Sequence, residues 1–553
     1  MTPFRLERFA PMSSVAALAA VLATFSVPAA ANMEALLEKL RDKGVLSEEE
    51  FKEMRQEARE AARANRDFKA EIMGDKAKRE LPTGLNGAFS NNFTWTNGDG
   101  SSSIRLTGRV HADYRFNNLE DSTFAPVLSN DRDSASIADT FELRRTRIGV
   151  SGTLFREVDY NAVLNLVGSA PVVDTAFMNF KYLPNMNFQF GRFKQPFSIG
   201  QLTSSNDIDF AERSYVDQII PGKKMGAMVH GEPKPGFTYA ASVYQEGENE
   251  LTQEDGEGKR YAGRLTANLA QFGKGIPDTV LHFGIAGVGG DYQLRPTMSS
   301  QTNSGMENVT RATIVGFRTM NRGLSNVYRA QLGGENFSSL ANCTTTNALN
   351  CFDTSAPRTG VASEFGVNVD QTLFGLEYAL ARGPLKVQGE WVRANYDAVN
   401  PIRTLNTSAE TVRGDVDTYY VQAVWNITGE KWSEMYRSGV FRGLTPNNNF
   451  RLGSGWGAWQ LGLRWSQFDA SDIAVTGTRS REQSGAIGAG NQNDRVDSYG
   501  IGVNWILNPL SRVMFEYTRT DFGGRTLPLD TSATGSTGST SEDLFSIRTQ
   551  VVF

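Results

Sequence analysis

The stretch Ser103–Phe116, "SIRLTGRVHADYRF", decides the fold. Its even positions are Ile104, Leu106, Gly108, Val110, Ala112, Tyr114 and Phe116, and its odd positions are Arg105, Thr107, Arg109, His111, Asp113 and Arg115. A period of two makes this a strand with one apolar and one polar face. The period then persists to the end of the chain, through "TRIGV", "DYNAVLNL", "TAFMNFKY", "YAGRLTANL", "TLFGLEYAL", "TYYVQAVWN", "AWQLGLRW", "YGIGVNW", "VMFEYT" and "FSIRTQVVF". Read in this way the chain carries about sixteen strands, the count of a barrel wide enough for an aqueous channel.

Connections alternate in length. "LPNMN", "GEPKPG" and the turn near Arg156 are short, whereas Asn117 to Ala138, Gly191 to Gly222, "QEGENELTQEDGEGK" and the region of Cys343 are long. An outer-membrane barrel has this asymmetry, with its short turns in the periplasm. A soluble sandwich also alternates, but it predicts neither the aromatic residues on the apolar faces (Trp425, Trp459, Trp465, Trp505, Tyr182, Tyr419) nor long loops at one end only. The final strand runs to Phe553 and is expected to close the sheet, which removes two exposed edges.

Composition agrees once the alternation is seen. The 553 residues carry a formal charge of −5 and a mean hydropathy of −0.36, and past the N-terminus there is no apolar run of about 18 residues, so transmembrane helices are excluded and barrels are not. Residues 1–31 read as a signal peptide: Arg5 and Arg8, then "FAPMSSVAALAAVLATFSV", then a small-residue cleavage site after Ala31. Export makes Cys343 and Cys351, the two cysteines, an expected disulfide.

Residues 32–80 are charge-dense and helical in period. Leu36, Leu37 and Leu40 form a stripe, Gly44 ends the first helix, and Ser47 with Glu50 has capping-box spacing for a second. The stripe suits pairing with copies of itself, so a short periplasmic coiled-coil-like segment is expected, followed by a linker over 81–102 and the barrel over 103–553.

With the even face of the first strand toward lipid, the odd faces line the lumen. Arg105, Arg109, Arg115, Arg145, Arg147 and Lys181 then project into one water-filled space, offset by Asp113 and Asp159, which suggests a path for small anions. Glu377, Glu390 and Glu516 also face inward on this reading. The three histidines, His111, His230 and His282, are widely spaced, and there is no nucleophile elbow, phosphate loop or HExxH, so neither a metal site, a cofactor nor an enzyme is expected.

The segment "FGRFKQPFSIGQLTSSNDIDFAERS" (Phe190–Ser214), with "FELRRTRIGVSG", "NITGEKWSEMYRSGVFRGLTP", "GAWQLGLRWSQFD" and "YGIGVNWILNP", resembles the phosphate-selective porin O/P family of Gram-negative outer membranes. The resemblance covers most of the chain after about Ser103. It implies a trimeric barrel of sixteen strands in the outer membrane, whose third external loop, 191–222 here, folds inward, and an arginine ladder leading anions to a central site. Lysines flank the "TSS" segment in phosphate-selective members, whereas this chain has Gln201 and Asn206 there, followed by Asp207 and Asp209.

The expected function is therefore passive diffusion of small hydrophilic solutes, anions such as phosphate foremost. Arg105, Arg109, Arg115, Arg145, Arg147, Lys181 and Arg192 would attract the anion, and Lys194, Ser204, Ser205 and Arg213 would replace part of its hydration shell. Two alternatives stand beside it. Asp207, Asp209 and Glu212 at the constriction would make a general or weakly cation-preferring porin, and a tethering protein would act through residues 32–80. Lipid, small solutes and further copies of the chain are the expected partners, and nucleic acid is not.

Overall fold

A computed structural model describes Phe51, Gln56 and residues 88–90, 93–119, 139–168, 172–246, 258–273, 275–294, 297–298, 310–323, 327–332, 367–400, 410–476, 481–483, 493–523, 527–528 and 538–553. The chain divides into two compact units, 1–86 and 87–553. In the first, Phe51 and Gln56 are helical and Phe51 is buried; the rest of the expected helical segment 32–80 and the signal peptide lie outside the described residues, as do Cys343 and Cys351. No helix among the described residues is long and apolar enough to cross a membrane.

The second unit is a closed antiparallel barrel of 16 strands. Its first half runs β1 Ser103–Leu119, β2 Thr140–Leu154, β3 Val158–Asn165, β4 Val172–Leu183, β5 Met186–Lys194, β6 Lys223–Lys234, β7 Phe237–Gln245 and β8 Lys259–Asn268. The second half runs β9 Thr279–Gly289, β10 Val367–Arg382, β11 Leu385–Asn400, β12 Glu410–Asn426, β13 Ala458–Asp469, β14 Arg495–Asn508, β15 Ser511–Asp521 and β16 Ser541–Val552. Each pairs with its sequence neighbour, and β16 pairs with β1 from Glu542↔Leu119 to Val552↔Arg109, which closes the ring. Part of the expected linker joins this sheet: Ala88–Ser90 pairs with Thr94–Thr96, which pairs with the start of β1.

Turn chemistry marks the short-turn rim. Phe155 and Arg156 (φ 51° and 68°), Asn185 (60°), Gly236 (80°) and Gly383 (56°) supply the left-handed residues that tight hairpins require. Side-chain exposure follows the strand period, most cleanly in β10, where buried and exposed residues alternate almost without exception. Leu376, Leu380 and Phe374 point outward there while Glu377 and Gln371 point inward.

Among the described residues three segments fill the interior. The loop 195–222 between β5 and β6 crosses the lumen and includes the short helix α1, Ile199–Leu202. A hairpin of Thr310–Phe317 with Tyr328–Leu332 enters from the same rim, and a strap, 427–457, enters from the short-turn rim with its helix α2, Trp432–Met435, and the paired Tyr436–Arg437 and Val440–Phe441. The strap breaks the expectation that every connection at that rim is short.

One part of the inner wall differs from the polar lining expected. At the long-loop end, Val367, Val369 and Leu373 of β10, Val392 and Ala394 of β11, Val412 and Val416 of β12 and Phe468 of β13 face inward and are buried. The hairpin covers them. Phe317 stacks on Phe468 with centroids 4.0 Å apart, and Tyr215 of the loop meets both rings edge-on. This is sheet packed on sheet inside a barrel, the driving force being the burial of apolar area.

Candidate functional site

Glycines on the inner wall decide where the loop 195–222 lies. Phe210 rests on backbone at Gly462 and Gly502, where an added Cβ would meet its ring at 3.0 and 3.3 Å, and Phe197 rests on Gly375 at 2.7 Å. Without side chains at these points the wall has room for aromatic rings. Wall carboxylates then take up loop N–H groups that would otherwise be orphaned: Ile199 N donates to Glu377 Oε2, Gly200 N to Glu390 Oε1 and Ala211 N to Glu516 Oε2, each at 2.8 Å. The three glutamates face inward as expected, and the loop occupies them.

Two carboxylates of the loop are paired with cations of the wall. Glu212 accepts from Arg144 (2.7 and 3.2 Å), Arg145 (3.5 Å) and Arg548 (2.7 Å). Arg144 and Arg145 both reach it because the register slips between His111 and Ala112, leaving Arg144 as the extra residue of a β-bulge in β2. Burial would raise the Glu212 carboxyl, but the charges of Arg145, Arg548 and Arg144 outweigh it and hold the group well below the usual carboxylate range. Asp209 pairs with Lys386 at 2.7 Å. The Asp207 carboxyl is pushed upward by burial, against the pull of Arg512 and Arg109.

The sequence-derived cations divide into three sets. At the long-loop end Arg115 is tied to Asp113 (2.7 Å) and Glu142 (2.5 Å), and Arg145 to Glu212. At mid-height Arg109 donates to Ser205 Oγ at 2.8 Å, Arg147 pairs with Asp174 at 2.9 Å, and Lys223 pairs with the same aspartate. Near the short-turn end Lys181 meets Asp159 at 2.7 Å and Arg105 is exposed. These residues therefore form a line from rim to rim and not a single ring.

Two residues expected to contact solute are engaged by the loop's own backbone. Lys194 Nζ donates to the carbonyls of Gln201, Leu202 (3.3 Å) and Thr203 (3.0 Å), and Arg213 donates to Gly200 and Thr203, both at 2.8 Å. Ser204 Oγ accepts from Asn206 N within its own turn. Sequence reasoning passed over Lys223 and Asp174, whose signal was weak: Asp174 enters the lumen through a bulge opposite Val163 and Leu164.

Exposure separates two halves of the wall. Inward side chains of β10–β16 are sealed under the inserts: Glu377 is 3% exposed, Lys386 2%, Glu516 2% and Arg548 0%. Several of those of β2–β6 stay partly open, with Arg147 at 16%, Lys223 at 18% and Lys181 at 35%, although Arg145, Asn179 and Gln189 are buried. The partly open stretch of the inner wall is therefore that of β2–β7, beside Arg147, Arg192 and Lys223 with Arg109 at its edge, whereas the inward residues of β8, Arg260 and Arg264 among them, are sealed as well. No group of His, Cys, Asp or Glu among the described residues is arranged to hold a metal ion.

Among solved structures the chain is similar to OmpT, an outer membrane protein of Vibrio cholerae (13% identity over 82% of this chain and 98% of that one, TM-score 0.39). It is also similar to an anion-selective porin from Comamonas acidovorans (10%, 82% and 100%, 0.40) and to the outer membrane channel DcaP of Acinetobacter baumannii (12%, 83% and 99%, 0.41). No curated protein matches it. The family model for phosphate-selective porin O and P matches residues 104–315 and 325–553, and the chain belongs to that family of porins.

Proposed function

We propose that this outer-membrane porin passes small hydrophilic solutes with a preference for anions, phosphate among them, along the partly open wall formed by β2–β7. The observation that carries the proposal is an imbalance. Arg109, Arg147 and Lys223 gather at mid-height around Asp174, which also acts electrostatically on Arg192, and Asp207 of the loop is the second carboxylate that acts on Arg109, so the cations outnumber the acids. In a narrow low-dielectric passage such an excess of positive charge attracts anions and repels cations. The alternative of a cation preference needs Asp207, Asp209 and Glu212 in the water path; Asp209 and Glu212 are paired with cations on the wall, which leaves Asp207 as the acid that could carry it.

The zero-current potential of the purified protein in a planar bilayer under a KCl gradient tests this. Anion selectivity is expected, and Arg147→Glu, which leaves two carboxylates beside Lys223, should lower the anion-to-cation permeability ratio several-fold. A wild-type potential of cationic sign, or one that Arg147→Glu leaves unmoved, would overturn the proposal. Added phosphate reducing the chloride current would extend it to a binding site for phosphate.

A further inference from the structure

Lys386 of β11 projects into the interior and is 2% exposed. Its ammonium lies 3.7 Å from the ring centroid of Trp432 and 4.4 Å from that of Phe441, both on the strap, and 2.7 Å from Asp209 Oδ2 on the loop. Gln422 Nε2 donates to that same carboxylate oxygen at 2.6 Å, and Asn504 Nδ2 donates to the Asp209 carbonyl at 2.7 Å. One charge thus joins the wall, the insert from the short-turn rim and the insert from the long-loop rim.

The two rings favour a cation through their quadrupoles, and the carboxylate neutralises it. Removing the ammonium would leave the buried Asp209 with Gln422 as its side-chain hydrogen-bond partner and only the more distant charges of Arg464 and Arg512. A buried carboxylate that loses its directly paired cation is disfavoured where it stands, which drives it toward water. Asp209 belongs to the loop that crosses the lumen, three residues before Glu212 and two after Asp207, so a shift of its carboxylate is a shift of that loop.

We propose that Lys386 is a positioning residue for ion selectivity: caged by Trp432 and Phe441, it holds Asp209 against the far wall and keeps that negative charge out of the path anions take. This rests on the anion preference proposed above. A loop carrying several acids can then line an anion channel, because this carboxylate is turned away by a lysine on the strand behind it.

The test compares wild type, Lys386→Met, Asp209→Asn and the double variant in planar bilayers, reading zero-current potential and single-channel conductance. Lys386→Met is expected to lower the anion-to-cation permeability ratio at least threefold. Asp209→Asn keeps or raises the ratio, and the double variant returns to the wild-type value, since the charge released in the first is absent. Lys386→Gln, which retains a donor for Asp209 and covers the rings while removing the charge, shifts the potential in the same direction and serves if the methionine variant fails to assemble. An unmoved potential in both Lys386 variants overturns the proposal. So does a loss of selectivity that Asp209→Asn does not restore, because that marks general displacement of the loop. A cation-selective wild type would defeat the underlying reading and is seen before any variant is compared.

Discussion

Glu212 meets three arginines, and the sign of that arrangement fixes its response to acid. Its pKa in the folded protein is depressed, so the stabilisation it gives the loop is fully present above the unfolded value of about 4.3 and is lost as pH falls through the lower folded value. At neutral pH the docking is intact. Glu212→Gln should cost about 3 kcal/mol, because it leaves Arg144, Arg145 and Arg548 facing one another without their shared carboxylate. We expect a lower temperature for loss of the folded band in heat-modifiability gels at pH 7. The difference between variant and wild type should shrink as the pH is taken below 4.

At the scale of elements, the glycines Gly462 and Gly502 are the test of how the loop is seated. Gly462→Val or Gly502→Val adds bulk against Phe210, whose ring stands 3.0 and 3.3 Å from the respective Cβ positions. The loop should lift from the wall, and single-channel conductance should rise while the barrel still assembles. Strands were legible in the sequence because each lipid-facing side chain announces the period, as in "TLFGLEYAL". In β10 the same alternation also held information that was not used: outward residues are polar from Asn368 to Thr372 and apolar from Phe374, while inward Val367 and Val369 are apolar. That reversal marks where the strand leaves the lipid and where an insert covers its inner face. The inserts themselves were partly hidden. Loop 191–222 was identified by resemblance, but the hairpin and the strap carry no period that separates them from ordinary connections. Nor could spacing show that Lys194 and Arg213 would turn to loop carbonyls, since a side chain's partner depends on how the backbone folds back on it.

For the whole molecule the consequence is an asymmetric lumen. Cysteines placed at Asn161 of β3 and Thr238 of β7, on the half-open wall, should react with a water-soluble methanethiosulfonate and reduce the current, whereas cysteines at Gln388 of β11 and Gln422 of β12 should not react. Replacing Cys343 and Cys351 by serine provides the background. Equal labelling on both halves would contradict a path confined to β2–β7. Fold class was readable at this scale because closure and sidedness follow from strand number and loop lengths. The division into a sealed and an open half was not, for it arises from contacts between residues hundreds of positions apart, such as Arg548 with Glu212 and Asp209 with Lys386.

The bonds of Arg548 bear on the order of assembly. This residue of the final strand grips Asp113 of the first strand through two nitrogens, both at 2.6 Å, and at the same time holds the Ala211 carbonyl and the Glu212 carboxylate of the loop. The seam between last and first strand is therefore stitched through the cargo it encloses. A chain that zipped the seam with the loop still outside would trap an arginine against a single aspartate and shut the loop out, so filling and closure belong to one cooperative event.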